Sequence, residues 1–145
     1  MGAPEPGSWR SGFDALVGYE LDDVSETEVR AHLDLRDDLL QPLGLVHGGV
    51  YASIAESTAS LATVYGVHAD GMTASGQSNQ TSFLRPITEG TIHVLARRIH
   101  RGRTSWVWEV ECRDDADRLC AVVRMTIAVR PLPPGVTLPP VPPFA

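Results

Sequence analysis

A chain of 145 residues with 43% hydrophobic and 21% charged side chains has the length and composition of one globular domain with its own core. The formal net charge of -6 argues against general nucleic-acid binding, which needs a basic face. No apolar run is long enough to span a membrane, and residues 1–12 lack the basic start and apolar centre of a signal peptide, so the expected location is cytoplasmic.

Residues 1–12 are expected to form a flexible leader. Val29, Ala31, Leu33 and Leu35 then alternate with Glu28, Arg30, His32 and Asp34, the pattern of a strand with one buried face. Residues 43–49 form a Gly-rich turn. After it, Val50, Ile54, Leu61, Val64 and Tyr65 recur at helical spacing, and the helix is expected to close near Gly66. Strand-like runs follow at 73–84, 91–100, 104–113 and 118–129, with turns at Arg101-Gly102-Arg103 and at 114–117. Short turns between consecutive strands predict an antiparallel meander. The predicted fold class is therefore α+β, an antiparallel sheet wrapped around one long helix over residues 13–130. Residues 131–145 hold seven of the 11 prolines and are expected to be an extended tail, either laid over a neighbouring subunit or disordered. Cys112 and Cys120 fall in strand-like runs and read as two buried, reduced thiols.

The helix has two unlike faces. Val50, Ile54, Leu61 and Val64 are expected to meet the sheet. Ala52, Ser53, Glu56, Ala59, Ser60 and Thr63 make the other face, which is small and partly polar rather than Lys/Glu-rich. Small residues let another backbone approach, so this face predicts a second copy of the chain across a two-fold axis. Glu56 is the lone carboxylate there. A half-buried Glu is suited to act as base or nucleophile, whereas an exposed one is only a solvated side chain. Ser60, four residues on, reaches the same place and either positions a water or simply packs. Gly48 and Gly49 open the helix, where the first N–H groups lack internal partners and the dipole is positive. Bare glycines there let a substrate oxygen approach, unless the pair serves only a tight turn. Glu56 lies eight residues beyond Gly48, about 12 Å along a helix. One reacting group cannot touch both in a single chain. Antiparallel helices across a dimer axis would bring the Glu of one to the glycines of the other.

His47-Gly48-Gly49-Val50, with Glu56 seven residues after the second glycine and Ala-Ser at 59–60, resembles the hotdog-fold acyl-CoA thioesterases. The likeness is to the branch of the Arthrobacter-type 4-hydroxybenzoyl-CoA thioesterase and the phenylacetic-acid-pathway (PaaI-like) enzymes. Phe83-Leu84-Arg85-Pro86 and the 101–103 turn share the pattern. The resemblance implies hydrolysis of an acyl-CoA, with Glu56 as nucleophile or base and the Gly48 N–H polarising the thioester oxygen. It further implies that Gln41 orients the thioester, His47 holds the turn and Ser60 stands near the attacking water. It implies a homodimer with shared sites, assembled as a dimer of dimers. The reaction needs no cofactor, coenzyme A being part of the substrate. It needs no metal, and the five histidines form no metal-binding motif.

Coenzyme A carries several negative charges, so its binding must rest on local cations. Arg85, Arg101 and Arg103 are the candidates, with Thr104 as a hydroxyl donor and Gly49 at the helix start; the alternative is that the arginines only solvate a hairpin. Trp106, Trp108 and the strand of Asn79 and Phe83 are candidates to line an acyl pocket, but core packing is the better reading of the tryptophans. Two other readings compete: a hotdog hydratase, whose Asp-x-Asn-Pro-x-His pattern is missing, and a non-catalytic acyl-CoA-binding module.

Overall fold

The computed structural model describes residues 11–139. Elements follow in the order α1 (Gly12–Val17), β1 (Glu20–Val24), β2 (Glu28–Asp34), α2 (Gly48–Val67), β3 (Met72–Phe83), β4 (Thr91–Arg101), β5 (Ser105–Arg113) and β6 (Leu119–Pro131). The six strands form one antiparallel sheet in the order β1-β2-β4-β5-β6-β3. The β4-β5-β6 meander is the one expected from the turns at 101–103 and 114–117. In the second turn Asp114 accepts from the Ala116 and Arg118 N–H groups, and Asp117 takes the left-handed conformation at φ 61°. No helix among the described residues is long and apolar enough to cross a membrane.

The sheet curls around α2. Its inner face presents Val29, Ala31 and Leu33 from β2, Ile92, Val94 and Ala96 from β4, Trp106, Trp108 and Val110 from β5, and alternate residues of β6. The helix answers with Ile54, Ala55, Ala59 and Ala62, all fully buried; three alanines let its axis sit close to the sheet. Gly66 is required at the far end, where a Cβ would run into Cη2 of Trp106. Both tryptophans are core residues, as expected.

Two residues assigned to the outer helix face belong to the core instead. Ala59 and Thr63 are fully buried, because the curled sheet covers more than half of the helix circumference. The Thr63 hydroxyl donates to the Ala59 carbonyl and accepts from Nε1 of Trp108 at 2.9 Å. Replacing Thr63 by Val would strand a buried indole N–H, with an expected loss of about 1–3 kcal/mol measurable by urea denaturation.

Other differences are local. α2 continues through Gly66 to Val67 and ends in a 3-10 turn at His68–Asp70. β1 went unpredicted because Glu20, Asp22 and Asp23 leave only Val24 buried, the profile of a charged edge strand. α1 was also unpredicted; its Gly12 was assigned to the leader, residues 1–10 of which lie outside the described residues. The first part of the predicted tail is tied down: Leu132 donates to the Gly71 carbonyl, and Val136 closes a turn on Pro133. Residues 140–145 lie outside the described residues. Cys112 and Cys120 are free and buried, and burial, then the neighbouring Cys120, pushes the Cys112 thiol up to about 12.

Candidate active site

The start of α2 is built by its cap. His47 is the N-cap residue, and its Nδ1 accepts the Gly49 N–H at 2.9 Å. That bond uses the Gly49 donor, so of the glycine pair it is Gly48, at the first helical position, whose N–H has no partner inside the helix. The preceding turn is folded on Gln41: its backbone N–H donates to Leu45 and its carbonyl accepts from Gly44. Its Oε1 also accepts the Leu43 N–H.

A Cβ at Gly48 would sit 2.7 Å from the tip of the Phe83 ring, which lies over the helix start while remaining 60% exposed. Gln41, Gly48, Tyr51, Phe83 and Arg85 line one cleft of about 500 Å³. A helix N-terminus, a carboxamide and a guanidinium thus face one apolar-walled space, an arrangement suited to a polarised carbonyl and a nearby anion.

Glu56 opens on a different cleft, of about 420 Å³, shared with Ser60, Ser57, Leu61, Val64 and Gly76. Its carboxylate packs on β3: a Cβ at Gly76 would meet Oε1 at 2.8 Å. Glu56 is exposed in the single chain rather than half-buried, because α1 and the β3 edge leave an open cleft between them on the outer helix face. Asn79 fastens this edge, donating from Nδ2 to the Ala52 carbonyl at 2.9 Å. The structure therefore brings Gln41, Gly48 and Arg85 together, and separately Glu56 and Ser60, without joining the two sets.

The remaining predicted cations stand elsewhere. Arg101 and Arg103 border a hollow with Val67 and Asp70 at the C-terminal end of α2, about 30 Å of helix away from Gly48. Arg101 stacks on Trp106 at 5.0 Å and lies 3.6 Å from Glu26. Thr104 sits in the same turn, its carbonyl accepting from the Val129 N–H and from Arg130.

Sequence reasoning missed Gly76, Phe13 and Asp14. A glycine inside the strand-like run 73–84 was a legible sign of close approach or a bulge, and a register shift does fall between Gly76 and Ser78. Phe13 and Asp14 reach the Glu56 cleft through α1. That helix is pinned by Ser57 Oγ donating to Asp14 at 2.5 Å and by Arg36 donating to the Leu16 and Val17 carbonyls.

Residues 43–121 match the thioesterase superfamily. The Mycobacterium tuberculosis protein Rv1847 is 38% identical over 121 residues, spanning 82% of this chain and 86% of that protein. Its solved structure has a TM-score of 0.80 at 36% identity, covering 84% of this chain and 98% of the other. Thioesterase HI1161 of Haemophilus influenzae superposes with a TM-score of 0.77 at 30% identity, covering 85% of each chain. A 1,4-dihydroxy-2-naphthoyl-CoA hydrolase of Listeria monocytogenes is 29% identical over 82% of this chain and 96% of its own length.

Proposed function

The chain belongs to the thioesterase superfamily and has its hotdog fold, and from that premise we propose that it hydrolyses an acyl-CoA thioester at a site built by two copies. Within the superfamily we place it in the branch of the Arthrobacter-type 4-hydroxybenzoyl-CoA and PaaI-like thioesterases, on the His47-Gly48-Gly49 and Glu56 spacing. The observation that carries the reading is the division of labour between the two clefts. One holds carbonyl-polarising groups, the other holds a carboxylate with a hydroxyl beside it, and each lacks what the other supplies.

The sheet edge supports the pairing. β3 is 12 residues long and, among the described residues, bonds to β6 on one side only. A long strand with an unpaired edge and no lysine is a template for a second strand. Joining β3 to its copy across a two-fold axis sets the α2 helices antiparallel. Glu56, seated over Gly76 of that strand, then faces the partner's helix start.

In such a site the Gly48 N–H and the helix dipole stabilise the oxygen as the carbonyl carbon becomes tetrahedral, with the Gln41 side chain aligning the thioester. Glu56 of the other chain either attacks the carbonyl carbon or takes a proton from an attacking water that Ser60 helps place. In the first route the C–S bond breaks to leave an acyl–Glu56 anhydride, which water then hydrolyses to the free acid and the Glu56 carboxylate; in the second the water oxygen passes directly into the acid as the C–S bond breaks and Glu56 returns its proton to the sulfur. In both the sulfur leaves as the CoA thiol. His47 acts through Gly48, holding the turn that aims its N–H. Arg85 beside the helix start, and Arg101 and Arg103 with Thr104 beyond Glu56, are the groups offered to the CoA phosphates. CoA enters as substrate, and the reaction draws on no other cofactor. The test is thiol release across a panel of acyl-CoAs. Release at a rate that depends on Glu56 is expected; tight binding without release would make the protein a non-catalytic acyl-CoA module.

A further inference from the structure

Two clefts lie side by side along the outer face of α2, and Phe13 and Ser53 belong to both. The first is the Glu56 cleft. Its apolar lining comes chiefly from Phe13, Leu61, Val64 and Ala74. Among the described residues no Lys, Arg or His lines it, while Asp14 and Glu56 do. The second, of about 560 Å³, runs under α1 toward the helix start and is walled mainly by Leu16, Val17, Leu39, Leu40 and Val50. Ser53 is part of the helix floor and too short to divide them. Phe13 projects from α1 above, and its ring is 61% exposed. It is held in place because α1 is anchored at both ends, through Asp14 to Ser57 and through Leu16 and Val17 to Arg36.

We propose that the acyl group of the substrate is uncharged, lies on the apolar lining of the Glu56 cleft, and ends against Phe13, which sets the length accepted. This rests on the thioesterase reading and adds the substrate class to it. Two physical consequences follow. Removing the Phe13 ring joins the clefts and gives a longer chain apolar surface to bury, at about fourfold in affinity for each further methylene. A terminal carboxylate on the acyl group meets the Asp14 and Glu56 carboxylates, with no cation among the described residues of the cleft to pair with, and is rejected.

The experiment compares kcat/KM for straight-chain acyl-CoAs from four to fourteen carbons, with succinyl-CoA and glutaryl-CoA, in wild type, Phe13→Ala, Phe13→Leu and Phe13→Trp. The same chain-length series is measured as Kd with S-alkyl-CoA thioethers, which cannot be hydrolysed. Phe13→Ala is expected to raise the ratio of twelve-carbon to six-carbon substrates at least tenfold, Phe13→Leu less, and Phe13→Trp to lower it; the Kd ratios move alike. Succinyl-CoA is expected to be at least tenfold poorer than butyryl-CoA. Unmoved ratios in folded variants, or a dicarboxylic acyl group accepted as well as its neutral counterpart, would overturn the assignment. Absence of thiol release from every acyl-CoA would overturn the thioesterase reading instead, and the thioether ratios would still decide the place of Phe13.

Discussion

Replacing Glu56 by Ala is expected to lower kcat for acyl-CoA hydrolysis at least about 100-fold, the low end of what a positioned base or nucleophile supplies. The loss falls on kcat because the carboxylate acts on the reacting carbon or its water, not on the CoA moiety. Stability should hardly change. Glu56 is exposed and its side chain only overlies Gly76, so an effect within about 0.5 kcal/mol is expected. A large kinetic loss without a thermal shift marks a chemical role. A mutant that unfolds, or one that still turns over at the wild-type rate, would mark a structural residue or a bystander. Thiol release under saturating substrate, beside a thermal melt, reads both.

Replacing Gly48 by Val is expected to lower kcat/KM about as strongly, at least about 100-fold, the scale of losing one oxyanion donor. The N–H survives the substitution, but the added side chain occupies the space the substrate oxygen needs. The new Cβ would begin 2.7 Å from the Phe83 ring. That ring is 60% exposed and can swing aside, so the fold tolerates the change while the approach to the helix start is blocked. Full activity in this variant would exclude the Gly48 N–H as the carbonyl-polarising group.

The helix and the strands after it were legible because their residues alternate or recur cleanly. Trp106 and Trp108 are two apart and Ala121, Val123, Met125, Ile127 and Val129 recur at every second position, so that face had to be buried; Cys120 and Ala128 on the opposite face are buried as well. The glycine pair, its histidine cap and Glu56 were legible because their spacing on one helix is fixed by helix geometry alone. What escaped depends on contacts distant in sequence. β1 carries three acidic residues and is a strand only because β2 lies alongside. α1 has six residues, too few to hold a helix alone, and stands on Arg36 and Ser57, between 19 and 43 positions downstream of their partners. Thr63 looked like a small surface residue because its partner, Trp108, lies on a strand 45 residues later. The surroundings of the arginines near 97–103 were illegible for the same reason. Arg97 meets Glu28, Arg98 the Glu26 carbonyl and the Trp106 ring, and Arg101 the Glu26 side chain and the same ring, whereas Arg85 shares a cleft with Gly48.

The shared site is tested most directly by mixing two inactive variants. One carries Glu56→Ala with Gly48 intact, the other Gly48→Val with Glu56 intact. If each site takes Gly48 from one chain and Glu56 from its partner, a mixed pair has one complete site of two. Random exchange makes half of the pairs mixed, so a 1:1 mixture should recover about a quarter of the wild-type rate. No recovery, with subunit exchange verified by native mass spectrometry, would contradict a site built from two chains.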